Sequence, residues 1–212
     1  MGAGEYSGRT IPLDNAYIIA ADGGYETLQT KKIEPNLIIG DFDSLSVAPE
    51  HPNIIKASTE KEDTDTALAI KKGLEMGLET FIIDGAIGDR LDHTLANIQL
   101  LKKINKNKAN GILVGKDMCI TAITNQKISF AQGTKGIISI FTLGDKAQGV
   151  TIKGLKYPLD NATLTDDFPI GVSNEFTGEP STISVKTGTL IITWENSPVA
   201  IMFESGEQII IS

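Results

Sequence analysis

Leu37-Ile38-Ile39-Gly40-Asp41-Phe42-Asp43-Ser44 passes from three apolar residues, through one glycine, into two carboxylates one residue apart. The apolar triplet reads as a buried strand, and acids at the C-terminal end of such a strand can reach one hard cation. A single acid there is often only a turn former or a helix cap. An alternating pair flanked by Gly40 and Ser44 suits Mg²⁺ better, because that ion is usually held by one or two carboxylates plus substrate phosphates. Asp41 and Asp43 are therefore the first candidate metal ligands.

Outward from this stretch, short apolar runs recur at Tyr17-Ile18-Ile19-Ala20, Ile54-Ile55, Phe81-Ile82-Ile83 and Ile112-Leu113-Val114, with helical stretches between them. That alternation predicts an open, mainly parallel α/β sheet. Residues 64–76 set Ala67, Ile70 and Leu74 on one face, with Asp63 or Thr64 as N-cap and Gly77 as the stop. Residues 91–104 repeat the device, with Leu91, Leu95, Ile98 and Leu101 as the expected core stripe. Beyond about residue 126 the pattern changes to β-rich runs spaced by Gly, Pro and Asn, from Ile137 to Leu143 through to Gln208 to Ile211. The expected fold is an α/β N-terminal domain over 1–126 followed by an all-β, sandwich-like C-terminal domain over 127–212. Lys186-Thr187-Gly188 and Ser205-Gly206-Glu207 are expected hairpin turns. With no low-complexity linker between them, the two units should pack together.

Bulk properties narrow the function classes. A chain of 212 residues buries enough apolar surface to fold without staples, and its single cysteine, Cys119, cannot form an internal disulfide. With no secretory leader pattern, the expected compartment is the cytoplasm. No apolar run reaches membrane-span length. A net charge of -8 argues against nucleic acid as the main partner. Two histidines and one cysteine also rule out a zinc cluster of ordinary spacing.

Further chemistry-bearing residues cluster beside the same apolar runs. Ala21-Asp22-Gly23-Gly24 follows one strand and precedes a helical run, where paired glycines either make a tight turn or let backbone approach a phosphate. It matches neither GxGxxG nor the P-loop. In Lys61-Glu62-Asp63-Thr64-Asp65, one residue caps the following helix. Asp65 can then complete the metal site or orient a hydroxyl, and Lys61 can neutralise phosphate or contact substrate. Arg90, at the end of Asp84-Gly85-Ala86-Ile87-Gly88-Asp89, can fork onto phosphate oxygens. Asp92 is either Arg90's partner or a cap, and His93 reads as structural, with no nucleophile beside it. In the β half, Gly171-Val172-Ser173-Asn174-Glu175-Phe176 is a polar cluster that suits either a turn or substrate binding. Trp194 reads as core, or as a ring that stacks on a heterocycle. Together these strings point to chemistry on a magnesium-bound nucleotide.

Six strings, in this order, are similar to those of the thiamine pyrophosphokinases (thiamine diphosphokinases): Ala21-Asp22-Gly23-Gly24, Gly40-Asp41-Phe42-Asp43-Ser44-Leu45, Lys61-Glu62-Asp63-Thr64-Asp65, Arg90-Leu91-Asp92-His93-Thr94-Leu95-Ala96-Asn97, Gly154-Leu155-Lys156-Tyr157-Pro158-Leu159 and Ser173-Asn174-Glu175-Phe176. The resemblance implies a homodimer with active sites between subunits and a Mg²⁺-dependent transfer of pyrophosphate from ATP to thiamine. AMP would leave as the substrate hydroxyl attacks the β-phosphorus. It implies that Asp41, Asp43 and Asp65 hold Mg²⁺ and orient the hydroxyl, with Arg90 among the catalytic residues. Asp22, Gly23, Gly24, Arg90 and Asp92 would surround the nucleotide; Lys61, Asp92, Ser173 and Asn174 would face thiamine. The sequence departs from the family pattern at the first strand, of which little precedes Met1-Gly2-Ala3-Gly4, and in the glycine-poorer loop before Arg90. The tail beyond Asn196 also departs, and reads as an added β-hairpin. Two rivals remain: a haloacid-dehalogenase-type phosphatase, whose nucleophile signature is also an apolar strand leading into Asp-x-Asp, and a non-catalytic nucleotide- or thiamine-binding protein.

Overall fold

The computed structural model describes residues 1–212 apart from 3, 10, 12, 14, 43–50, 58–62, 89, 196–198, 207 and 212. Asp43 and Lys61 therefore lie outside the described residues. The N-terminal half runs β1 (Ile19–Ala21), α1 (Gly24–Thr30), β2 (Leu37–Gly40), β3 (Ile54–Lys56), α2 (Asp65–Glu75), β4 (Thr80–Asp84), α3 (Leu91–Lys106) and β5 (Asn110–Val114). There follow β6 (Met118–Thr124), β7 (Lys127–Phe130), β8 (Ile137–Thr142), β9 (Lys146–Lys153), β10 (Leu159–Thr165), β11 (Asn174–Glu175), β12 (Ser181–Ser184), β13 (Thr189–Glu195), β14 (Val199–Phe203) and β15 (Gln208–Ile211).

The fold class agrees with the sequence reading, but the N-terminal strands divide. β1, β2 and β3 form a parallel three-stranded sheet, whereas β4 and β5 join a six-stranded sheet ordered β11-β8-β13-β6-β5-β4. In this second sheet only β4 and β5 pair in parallel; β5 turns back antiparallel onto β6. The third sheet, β10-β9-β12-β7-β14-β15, is antiparallel throughout.

β2 is buried at all four positions, as expected of a central parallel strand covered on both faces. β6 was not picked out in the sequence for the same reason. Its Ile120 and Ala122 pack beneath the helices while Cys119 and Ile123 face the sandwich core, so apolar residues occupy both faces and no alternation is visible. The sandwich core fills the space between the two six-stranded sheets, with Trp194 set edge-on to Phe130 at 5.5 Å. Trp194 is 2 % exposed and is a core residue, not a surface stacking platform.

Two sequence expectations need correction. Leu91 and Leu95 are exposed rather than core, while the buried face of α3 carries Asn97, Leu101 and Ile104. At 3.6 residues per turn Leu91 stands roughly 120° around the helix from Asn97, so a strip extended from Leu101 back to Leu91 drifts off the buried face. Lys186-Thr187-Gly188 is not a hairpin turn, because β12 and β13 belong to different sheets. Lys186 and Thr187 donate their amides to Gln148 O, and the chain crosses to the opposite layer at Gly188. The second expected turn does join a hairpin: β14 pairs with β15, with Gly206 at φ +87°.

Met1, Gly2 and Gly4 lie between β1 and β4. Met1 N donates to Ile19 O (2.8 Å) and Ala21 N to Met1 O (2.9 Å), while Gly2 N donates to Asp84 O (2.7 Å) and Gly4 N to Gly85 O (2.9 Å). From this seam the chain steps outward through β1, β2 and β3 on one side and β4 and β5 on the other.

Candidate functional site

A point where strand order diverges leaves a crevice outside the C-terminal strand ends, the usual ligand position in open α/β sheets. Here that point is the β1/β4 seam. Asp22 follows β1 in the left-handed region (φ +46°), and its amide extends the ladder by donating to Ile39 O at 2.8 Å. Gly40 brings the next corner against it, since a Cβ there would stand 3.1 Å from Asp22 Cα. Asp41 and the left-handed Phe42 (φ +63°) follow directly. Non-glycine residues with positive φ are uncommon, and two occur at adjacent strand ends here.

α2 packs against β1 and β2. Its N-cap is Thr64, whose Oγ1 accepts from Ala67 N at 3.2 Å, so capping is not the role of Asp65 in the first turn. After β4, Gly85 turns the chain at φ +69°, and buried Asn97 reaches back from α3 to donate to Ala86 O at 2.8 Å. In the sequence Asn97 closes the Arg90-Leu91-Asp92-His93-Thr94-Leu95-Ala96-Asn97 string. Its signal was a lone amide on an otherwise apolar helix face. Arg90 then forks onto Asp92, Nε to Oδ1 at 3.2 Å and an Nη to Oδ2 at 2.6 Å, with both side chains exposed. The hydrogen bond from Arg90 holds the Asp92 carboxyl below the usual carboxylate range, and the same bond raises Arg90. Of the two readings of Asp92, partner of Arg90 is the one observed.

The second polar cluster is built differently. Asn174 is buried: its Oδ1 accepts from Tyr157 N (3.0 Å) and Glu175 N (2.9 Å), and its Nδ2 donates to Tyr157 O (2.8 Å). Most of its amide capacity thus joins two loops. What it presents outward is Tyr157, 57 % exposed, with Lys156 Nζ 5.7 Å from the ring centre and paired to Glu175 at 2.6 Å. That pairing raises the Lys156 ammonium. Ser173 is exposed in the left-handed region (φ +57°), with its amide on Ser139 Oγ at 3.0 Å. In the sequence Lys156 and Tyr157 stand within the Gly154-to-Leu159 string without a role of their own, because nothing there shows that Asn174 fixes their loop.

Within one chain the two clusters stand apart. β11 and β4 are opposite edges of the six-stranded sheet. Five inter-strand spacings separate them, roughly 24 Å. Asp22-Gly23-Gly24, Asp41 and the Arg90–Asp92 pair follow the C-terminal ends of β1, β2 and β4, and Asp65 opens α2 after β3, whereas Ser173 and Asn174 lie at β11. Beside Ser173, Phe168, Ile170 and Val172 alternate along one loop and are 64 %, 53 % and 46 % exposed.

Among the described residues no group of three or more acids, histidines or cysteines is arranged to hold a metal. Mg²⁺ needs only one or two carboxylates beside phosphate oxygens, and Asp41 and Asp65 provide hard oxygen donors of the required kind. No helix among the described residues is long and apolar enough to cross a membrane.

The fold defines a two-module protein, an α/β unit with acidic, glycine-bearing strand ends joined to a β-sandwich with its own polar corner. Comparison with known proteins narrows this further. Residues 12–113 match the family described as thiamin pyrophosphokinase, catalytic domain, and residues 125–191 match thiamin pyrophosphokinase, vitamin B1 binding domain. A thiamine pyrophosphokinase of Bacillus subtilis is 33 % identical over 182 residues, covering 82 % of this chain and 85 % of that protein. The crystal structure of a Bacillus subtilis thiamine pyrophosphokinase superposes with a TM-score of 0.79 at 30 % identity, covering 92 % of this chain and 96 % of that one. That of an Enterococcus faecalis thiamin pyrophosphokinase family protein does so at 0.76 and 26 % identity, covering 92 % and 97 %. The chain belongs to the thiamine pyrophosphokinase family, a family of enzymes.

Proposed function

We propose that this protein transfers pyrophosphate from ATP to the hydroxyl of thiamine, giving thiamine diphosphate and AMP. The observation that carries the reading is the pairing of an acidic strand-end crevice, at the divergence of the sheets, with a polar corner inside the segment matching the vitamin B1 binding domain. Attack at phosphorus requires charge neutralisation and in-line positioning more than a covalent protein group. Asp41, Asp43 and Asp65 are the residues that would hold Mg²⁺, which would supply charge stabilisation on the phosphate oxygens. Asp22, Gly23 and Gly24 border the nucleotide. Arg90 exchanges one arm of its fork from Asp92 to phosphate, and Asp92 keeps the guanidinium oriented. Ser173 and the Tyr157 ring meet the thiamine heterocycle; Asn174 acts by fixing both loops, and Lys61 contacts substrate.

The roughly 24 Å between β4 and β11 supports a site shared between two copies, each giving its crevice to the partner's thiamine corner. The exposed Phe168-Ile170-Val172 strip beside Ser173 suits burial against a second chain. The proposed units are 1–126 for the nucleotide and 127–212 for thiamine, and the compartment is the cytoplasm.

Incubating the protein with ATP, Mg²⁺ and thiamine should give AMP and thiamine diphosphate in equal amounts. ADP, or phosphate released from a monoester with no acceptor, would overturn the reading; release from a monoester would favour the phosphatase. Mixing two separately inactive variants, Asp41→Asn and Ser173→Trp, should restore part of the activity through hybrid dimers. No restoration in a mixture shown to exchange subunits would overturn the shared site.

A further inference from the structure

Asp84 ends β4 as a buried carboxylate with no place in the reaction above. Both of its oxygens are engaged by one residue: Ser7 N donates to Oδ1 at 2.9 Å and Ser7 Oγ to Oδ2 at 2.8 Å. Ser7 is itself buried, and its Oγ accepts from Arg9 N at 3.2 Å. This lock closes a segment that touches both walls of the crevice. Upstream of Ser7, Met1 O accepts from Ala21 N, and Gly2 and Gly4 donate to the Asp84 and Gly85 carbonyls. Tyr6 lies under Lys31 of the turn after α1 (4.5 Å from Nζ to the ring centre), and Glu5 pairs with Lys116 at 3.3 Å.

Fit around the segment leaves no slack. A Cβ on Gly24 would stand 2.3 Å from Met1 O, one on Gly2 2.7 Å from Gly85 O, and one on Gly4 2.5 Å from the same oxygen. Glycine at these positions is required by backbone approach. The segment is thus a spacer that sets the distance between the Asp22-Gly23-Gly24 corner and the Gly85-to-Arg90 loop.

We propose that Ser7 and Asp84 are positioning residues for the nucleotide side of the crevice. Their double hydrogen bond seats the N-terminal segment, through its Met1, Gly2 and Gly4 contacts, as a strap across the β1/β4 seam, and the strap sets Asp22–Gly24 in register with the loop that ends in Arg90. The consequence for substrates rests on the proposed pyrophosphate transfer; the mechanical coupling does not.

Three variants test this: Ser7→Ala, Asp84→Ala and the near-isosteric Asp84→Asn, whose carboxamide can still accept from Ser7 N and donate to Ser7 Oγ. In the Ala variants the KM for ATP should rise about tenfold, the scale of a small misplacement of binding groups, while the KM for thiamine changes less than about twofold. Asp84→Asn should retain most of the nucleotide affinity. Equal shifts in both KM values, or Asp84→Asn behaving like Asp84→Ala, would overturn the nucleotide-positioning role. Hydrogen exchange supplies a readout independent of activity: in Ser7→Ala, amides of Asp22–Tyr25 and Gly85–Gly88 should lose protection together. Unchanged exchange at those two corners while Gly2 and Gly4 open would overturn the coupling. If the unsubstituted protein makes no AMP, the reaction assignment fails, whereas the exchange experiment still decides the strap.

Discussion

The strand-end crevice and the Asn174 corner are both polar clusters within otherwise apolar sequence, yet they spend their polar groups differently. In the β half, buried Asn174 uses its carbonyl twice and its amide once on neighbouring backbone, so the motif asparagine maintains the shape that exposes Tyr157 and Ser173. In the α/β half, close glycine contacts shape the corners at Gly24 and Gly40 and the buried Asn97 amide holds Ala86, while the Asp41, Arg90 and Asp92 side chains remain partly or fully accessible. A motif residue is therefore not a ligand by default. Burial separates those that hold the loop from those the loop presents.

The sharpest way to break this contrast is substitution at the acids. Asp41→Asn and Asp43→Asn should each lower AMP formation by about a hundredfold or more while the circular dichroism spectrum and melting temperature stay within error. Full activity in Asp43→Asn would remove that residue from the site. Asn174→Ala should do the opposite in kind, lowering stability by about 1–2 kcal/mol because partly buried backbone groups of Tyr157 and Glu175 lose partners. Ser173→Ala should leave denaturation unchanged and raise only the KM for thiamine. If Asn174→Ala melts like the unsubstituted protein, the locking role is wrong. Asn97→Ala should cost about 1–3 kcal/mol by leaving the Ala86 carbonyl without its donor, as a urea midpoint would show.

Smaller effects come from titration. Burial pushes the Cys119 thiol from about 9 up to about 12. The unfolded chain therefore releases this proton first, so the contribution is complete below pH 9 and is lost as pH rises toward 12. At neutral pH a thiol reagent should modify Cys119 only on unfolding. Modification of the native protein on mixing would contradict its burial. For Asp92 the sign is reversed. Its depressed folded value means that the Arg90 pairing is present above the ordinary carboxylate range and fades only as pH falls through the folded value. Because both side chains are exposed and screened, Asp92→Asn should leave the melting temperature nearly unchanged. The KM for ATP should rise severalfold in that variant. A large loss of stability instead would make the pair structural.

Much of this was legible locally. Apolar triplets ending in glycine and acid gave β2 and its corner; Thr64, the Ala67-Ile70-Leu74 face and Gly77 gave α2, because capping and helical period act within a few residues. Six motif strings in order were enough for the family. What escaped had non-local causes. β6 is covered on both faces, which erases alternation. The burial of α3 was set by the sheet it covers, which selected Asn97, Leu101 and Ile104 over Leu91 and Leu95.

The sequence by itself determined the element types, the order of the motifs and the acidic, glycine-bearing character of the site, since these follow from side-chain chemistry and short-range period. Only the tertiary structure decided that the N-terminal strands divide between two sheets and that Met1, Gly2 and Gly4 fill the seam. It alone showed that Asp84 belongs to Ser7, and that the two polar clusters face different edges of one sheet. Sheet partners and buried polar contacts join residues tens of positions apart. Nothing in the local pattern of one member records which distant residue will satisfy it.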